Sequence, residues 1–338
     1  MSSGDAIPHF IRLQDLSDRQ VEDILDLSSR LKRGVSRADL AARTVGLLFF
    51  RGSLRTRTSL VTAVQQLGGH TVNLTAASDF WALEARDGTV MDGEAPEHIR
   101  DAAAVMSKYV SALAIRPAPT GGPWEEERRD NSIRAWATHA QVPVINMESA
   151  LWHPLQGLAD LMTLRETLGG LAGRRVAITW TTSPTPSSPS VVNSILMAAL
   201  RSGADVRVAH PPGFELDAGV LDEAQASASE RGVEFVSGVE LNEAVQGAHV
   251  VYARSWQSLD TYANPTLAAN KLAGARGWTI DERLMARGQD AHLMHPMPVR
   301  RNLEVTDEVL DGPRSLLYAQ AENRLHTQKG LLSLLLRG

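Results

Sequence analysis

Two hydrophobic periods alternate along nearly the whole chain, and this alternation constrains the fold more than any other feature. The run Val45-Gly46-Leu47-Leu48-Phe49-Phe50 has the length and content of a buried strand. After a loop, Leu60, Val61, Val64 and Leu67 recur at helical spacing until Gly68-Gly69 stops the helix. Residues 98–109 read as helix, 112–115 as strand, 125–139 as helix and 142–147 as strand. The second half repeats the pattern. Strands are expected at 176–180, 206–210, 250–253 and 293–295, with helices at 191–200 and 220–231. Strands that alternate with helices imply parallel sheets covered on both faces. Two such series, joined by a helix that begins near Pro154, predict an α/β protein of two doubly wound parallel-sheet domains. A length of 338 residues fits that number at roughly 100–200 residues per domain. The boundaries expected are 1–152 and 153–320, with a last helix over 321–338 returning to the first domain.

Composition narrows the chemistry. The net charge of −5 provides no global field for nucleic acid or anionic lipid, so an anionic ligand needs a local cluster of cations and N–H groups. The absence of cysteine excludes disulfides, zinc–thiolate sites and a thiol nucleophile, and suits a cytoplasmic location. Residues 1–10 lack the basic and apolar regions of a signal peptide. Leu331-Leu332-Ser333-Leu334-Leu335-Leu336 falls short of the ~20 residues that span a bilayer, and reads as the buried face of a last helix. The ten histidines show no metal-ligand spacing, and neither a dinucleotide fingerprint nor a Walker A lysine loop occurs. No metal and no cofactor are therefore expected.

Four constellations carry chemistry. Ser53-Leu54-Arg55-Thr56-Arg57-Thr58 lies between a strand and a helix expected to start near Thr58. Unpaired helix N–H groups, hydroxyls and two guanidiniums there would form a phosphate cradle. The alternative is a Ser/Thr cap beside two solvated arginines. In His153-Pro154-Leu155-Gln156, the proline suits a first helical turn, and His153 and Gln156 share one side of it. An imidazole can donate to a developing oxyanion and an amide can grip an NH₂ group; a capping His with a surface Gln is the plainer alternative. His295-Pro296-Met297-Pro298-Val299-Arg300-Arg301-Asn302 follows a strand as a stiffened loop whose carbonyls are free to accept from a ligand. Glu322-Asn323-Arg324-Leu325-His326 is expected to open the last helix, putting Arg324 where a cation opposes the helix dipole and a bound anion would relieve it. Loop rigidity and a surface arginine are the alternatives for these two. The Pro- and Ser-rich segment 183–189 is either a linker or a ligand-side loop, since it follows a strand and precedes a helix.

In order and spacing, Ser53-x-Arg55-Thr56-Arg57, His153-Pro154-x-Gln156, His295-Pro296-x-Pro298 and the Arg324 helix resemble the aspartate/ornithine carbamoyltransferase family over essentially the whole chain. Segments 88–93, 144–148 and 300–302 resemble its N-acylornithine branch. The resemblance implies interdomain helices, an active site in a cleft, a backbone knot at the Pro-rich loop, and a homotrimer with shared sites. It implies that Ser53, Leu54, Arg55, Thr56, Arg57, Arg116, His153, Gln156, Pro296, Met297 and Arg324 hold carbamoyl phosphate. Trp81 would come from a neighbouring subunit. Arg55, Thr56, Arg116 and His153 would act in catalysis. Pro96, Glu148, Ser188, Arg254, His295, Arg300 and Glu304 would form the acceptor pocket. The expected reaction is carbamoyl transfer to an N-acylated ornithine in arginine biosynthesis. Pro96 favours succinyl, because the acetylornithine branch tends to carry Glu there and the succinylornithine branch Pro. Glu304, near a lysine of the acetylornithine branch, cuts the other way, and its side-chain direction decides. The alternatives are free ornithine, another amine, or a non-catalytic ligand-binding relative.

Overall fold

The computed structural model describes residues 8–336. The expected leader-free start at residues 1–7 and the last two positions of the terminal helix lie outside them. The chain separates into two compact units. Unit 1 comprises the residues up to Thr120, Glu127–Leu158 and those from Arg324 onward; unit 2 comprises Gly121–Glu126 and Ala159–Asn323.

In unit 1, the strands are β1 (Thr44–Phe49), β2 (His70–Thr75), a short pair β3 (Leu83–Glu84) and β4 (Glu97–His98), β5 (Ala112–Arg116) and β6 (Val144–Asn146). Its helices are α1 (Asp18–Lys32), α2 (Leu54–Gln66), α3 (Ile99–Tyr109) and α5 (Asn131–His139); the short α4 (Trp124–Glu127) precedes α5. The main sheet is parallel, in the order β2-β1-β5-β6. β1 and β5 are central, so Leu47, Leu48, Phe49, Leu113, Ala114 and Ile115 are all buried, which explains their unbroken apolar runs. Gly46 permits close packing within β1: a Cβ there would meet Leu113 Cδ2 at 3.0 Å.

Helix α6 (Pro154–Leu168) leads into unit 2. There follow β7 (Arg175–Thr179), α7 (Ser190–Arg201), β8 (Asp205–Ala209), α8 (Ala218–Arg231), β9 (Phe235–Val239), α9 (Leu241–Val245) and β10 (Val250–Ala253). Then come α10 (Pro265–Gly274), α11 (Glu282–Met285), β11 (His292–Met294), α12 (Asp307–Leu310) and α13 (Leu317–Leu335). The second sheet is also parallel, in the order β11-β10-β7-β8-β9. The expected α/β fold with two parallel sheets is therefore present.

Several local expectations change. β2 and β9 went unread because they are edge strands with polar, partly solvated residues and no apolar run. The helix expected over 125–139 is broken into α4 and α5, with Asp130 in the left-handed region at φ 50°. α2 starts at Leu54 rather than near Thr58. The last helix starts at Leu317 rather than at Glu322, because Leu317 to Ala321 has no helix breaker. Arg324 therefore sits two turns inside α13, and the expected conflict with the helix dipole does not arise. Further along, Gly330 lets α13 touch α1, since a Cβ would fall 2.7 Å from the Ile24 carbonyl oxygen.

Candidate functional site

In a doubly wound sheet, ligands bind beyond the carboxyl ends of the strands where the strand order reverses. In unit 1 the chain moves from β1 to β2 on one side and then to β5 on the other, so the reversal lies between β1 and β5. Two of the sequence-read features stand there. Ser53 to Arg57 follows β1 as the N-terminus of α2, and Arg116 ends β5.

Ser53 is the N-cap residue of α2, yet its side chain caps nothing, unlike Ser17, which accepts from Gln20 N–H at the start of α1. The plain capping alternative for the Ser53 motif therefore does not hold. Arg55 and Thr56 occupy the first turn. Thr56 is buried, and its Oγ1 accepts from the Arg324 Nη2 at 2.6 Å. Arg324 Nη1 donates to Gln156 Oε1 at 3.0 Å. One buried guanidinium thus ties together the starts of α2 and α6 from the middle of α13. Arg57 turns the other way; it stacks 4.0 Å over the Phe49 ring and donates to Thr75 Oγ1 at 2.9 Å. Leu54 is 78% exposed and Trp81 65%, and Pro96 is exposed.

His153 is buried at the residue before α6. Burial pulls its pKa well below 6.5, and Arg324, Arg116 and Arg51 push the same way, while Glu148 opposes without prevailing. At neutral pH the ring is therefore uncharged and can act as an N–H donor. Glu148 Oε2 lies 2.5 Å from Arg116 Nη2, 3.4 Å from Arg51 Nη2 and 4.0 Å from His153 Nε2. Arg51 was passed over in the sequence. Its signal is its position, one residue past the run that forms β1 and two before the Ser53 motif.

A polar cage holds the loop between β6 and His153. Asn146 Nδ2 donates to Ile11 O and Ser149 Oγ, and its Oδ1 accepts from Glu148 N–H. Asp130 accepts from Ser149 Oγ at 2.6 Å and from Ala150 N–H at 2.9 Å. Burial raises the Asp130 carboxyl to about 6, although these hydrogen bonds oppose the shift. The native state therefore holds this proton more tightly than the unfolded chain, whose value is 3.8. Its contribution is fully present below pH 3.8, declines as pH rises towards 6, and is gone above. Asp130→Asn should thus gain roughly 2–3 kcal/mol relative to wild type between pH 4 and pH 7. Urea unfolding of both proteins across that range checks this; a stability difference that does not change with pH would refute it.

Unit 2 gathers the remaining residues. The chain order reverses between β7 and β10, so the Pro-rich loop after β7 and Arg254 after β10 stand at a second switch point. The loop is pinned there by Ser187 Oγ donating to Ser255 O at 2.6 Å and by Gln257 N–H donating to Ser187 O at 2.9 Å. It is therefore a ligand-side loop by position rather than a linker. Ser188 Oγ accepts from Ser190 N–H at the start of α7, and Arg300 Nη2 donates to Thr185 Oγ1 at 3.1 Å. His295 is buried after β11. Its Nδ1 accepts from Met297 N–H at 3.0 Å, so Nε2 carries the proton and donates to Glu304 Oε2 at 2.8 Å. The Glu304 side chain is 4% exposed, so its carboxylate serves His295. Met297 takes φ 52°, and Pro296 is buried beside it. Among the described residues, no helix is long and apolar enough to cross a membrane.

Comparison with known proteins places these features in a family. The carbamoyl-phosphate-binding domain model of aspartate/ornithine carbamoyltransferases matches residues 8–166, and the family's Asp/Orn-binding domain model matches residues 184–335. The chain is 36% identical over 333 residues to an N-acetylornithine carbamoyltransferase of Xanthomonas campestris pv. campestris, covering 98% of each chain. It is 37% identical over 321 residues to an ornithine carbamoyltransferase of Thermus thermophilus, covering 94% of this chain and 93% of the relative. A crystal structure of acetylornithine transcarbamylase complexed with acetylcitrulline superposes with a TM-score of 0.93 at 36% identity, covering 97% of this chain and 98% of that one. A glutamate-to-proline mutant of N-acetyl-L-ornithine transcarbamylase, complexed with carbamyl phosphate and N-succinyl-L-norvaline, superposes equally well at 37% identity, covering 97% and 99%. With both domain models matched in order and relatives covered almost end to end, the chain belongs to the aspartate/ornithine carbamoyltransferase family, and it is a carbamoyltransferase.

Proposed function

We propose that the protein transfers the carbamoyl group of carbamoyl phosphate to the side-chain amine of an N-acylated ornithine, with succinyl preferred to acetyl. The observation that carries the donor half is the cation cluster at the first switch point. There Arg55, Arg116 and Arg324 stand with Thr56, Gln156 and a neutral His153 beside an α2 N-terminus that the Ser53 side chain leaves uncapped. Backbone N–H groups and guanidiniums suit a phosphate, and the neutral imidazole suits a carbonyl oxygen. The amine attacks the carbamoyl carbon as a neutral nucleophile. Charge builds on the carbonyl oxygen, where Thr56, Arg116 and His153 donate. The C–O bond to phosphate breaks, and the leaving phosphate accepts the amine proton, so no protein nucleophile is needed.

Identity to the N-acetylornithine and ornithine carbamoyltransferases is nearly equal at 36% and 37%, so the acceptor reading is carried by particular residues. Pro96 favours a succinyl group by removing a glutamate's bulk and charge. The proline mutant of the related enzyme was crystallised with a succinylated ligand, which supports that choice. Glu304 no longer argues against it, since its carboxylate is engaged by His295. Arg254 and Arg300 are the candidate cations for the succinyl carboxylate. A citrulline-type colour assay with carbamoyl phosphate tests the proposal against ornithine, N-acetylornithine, N-succinylornithine, aspartate and putrescine. N-succinylornithine should give the highest kcat/KM, and Pro96→Glu should lower the succinyl-to-acetyl ratio at least about tenfold through like-charge repulsion. A ratio unmoved by Pro96→Glu would sink the acceptor assignment. Highest activity with free ornithine would replace it with the ornithine reaction.

A further inference from the structure

Glu148 is oddly placed for a residue that serves only the acceptor. Its carboxylate lies on Arg116, 2.5 Å from Nη2, with Arg51 at 3.4 Å and His153 at 4.0 Å. Arg51 Nη2 also donates to the Glu148 carbonyl oxygen at 3.1 Å. Glu148 is buried, and its φ of 154° lies in a region that only glycine adopts freely. The Asn146–Ser149–Asp130 cage holds it there, with Asn146 Oδ1 accepting from Glu148 N–H. Backbone strain is thus retained in a conformation whose outcome is to set one carboxylate among cations.

Of these partners, Arg116 and His153 are among the residues assigned to the donor, and Arg51 stands beside them. The charges felt at Arg116 and His153 come from Arg51, Arg55 and Arg324 on one side and from Glu148 on the other. A carboxylate and a phosphate or carbamoyl oxygen make the same demand on a guanidinium: a short N–H···O contact in its plane. Nη2 has two N–H bonds, but two anions set side by side on one guanidinium repel each other, so each weakens the other's hold. Burial lowers the pKa of Arg116 and Glu148 acts to restore it, so the glutamate offsets part of the cost of burying this guanidinium.

Building on the donor-site reading above, we propose that Glu148 is an internal counter-anion that occupies the donor's place on Arg116 and is displaced when carbamoyl phosphate binds. Glu148 lowers donor affinity by competition, and in exchange holds Arg116 and Arg51 in position before the donor arrives. This role acts through Arg116, so Glu148 is a positioning residue in the donor step. It precedes any contact the freed carboxylate makes with the acceptor.

Calorimetry without acceptor, using inorganic phosphate and carbamoyl phosphate as separate probes, tests this. Glu148→Gln keeps the size and a carbonyl acceptor but removes the charge. It should bind both probes roughly tenfold more tightly than wild type, with a steeper loss of affinity in salt. Glu148→Asp, whose carboxylate is one methylene short of Arg116, should also bind more tightly, by a smaller factor. A purely structural ion pair predicts the opposite: both variants would bind more weakly and melt earlier. In the wild type, a crystal structure with carbamoyl phosphate should show Glu148 beyond hydrogen-bond reach of Arg116. Retention of that contact, or equal or weaker binding by the variants, overturns the displacement alone. A wild type that binds neither probe overturns the donor-site reading itself.

Discussion

Arg55→Ala should lower kcat/KM for carbamoyl phosphate by roughly 30- to 1,000-fold, equivalent to about 2–4 kcal/mol of lost transition-state stabilisation. Arg55 stands in the first turn of α2, where the helix N–H groups and partial positive charge already favour an anion. Its guanidinium adds the charge-assisted contact that a solvated phosphate would otherwise exchange with water. The fold should not suffer. Arg55 is one of the cations whose field lowers the pKa of Arg116, so its removal relieves repulsion. Steady-state kinetics and thermal melting check this together: turnover falls while the melting temperature holds or rises. Near wild-type kcat/KM would remove Arg55 from the donor site.

The same variant tests the shared site implied by the family resemblance. Trp81 is 65% exposed, a costly place for an indole unless another surface covers it. If the protein is a homotrimer in which Trp81 completes a neighbour's site, mixed Arg55→Ala and Trp81→Ala subunits contain some sites with neither lesion. Such mixtures should regain part of the activity that each parent lacks, and a light-scattering mass of one chain would exclude the arrangement.

Arg324→Ala should be at least as damaging, with a loss of about 100-fold or more in kcat/KM. The side chain is buried and makes charge-assisted hydrogen bonds to Thr56 and Gln156. Each such bond contributes about 1.5–3 kcal/mol, and truncation leaves a buried hydroxyl and a buried amide oxygen without that donor. Removing a cation from a crowded cluster offsets only part of this loss, so stability should fall together with activity. Arg324→Lys should rescue little, because an ammonium is a point charge and cannot span two acceptors with a rigid fork. Lysine restoring more than about half of the wild-type rate would show that charge, and not the fork, is what the site requires.

The sequence by itself determined the architecture and singled out most of the polar side chains that the structure gathers at the first switch point. Alternating periods in segments such as 45–50 and 60–67 report burial on a strand or a helix face, and burial is a local consequence of side-chain type. Ser53 to Arg57, His153 and Gln156 were legible for a related reason: strand-to-helix junctions are marked by hydroxyls, prolines and a change of period. Only the tertiary structure decided which side chains act on which. Arg324 reaches Thr56 across 268 positions and Gln156 across 168. Glu148 settles on Arg51, 97 positions away, and on Arg116. Glu304 turns onto His295 and away from the part its charge suggested in the sequence. No periodicity carries such information, because the order β2-β1-β5-β6 brings chain-distant strand ends together. Once gathered and desolvated, unlike charges and donor–acceptor pairs select their partners by distance and geometry, not by position along the chain.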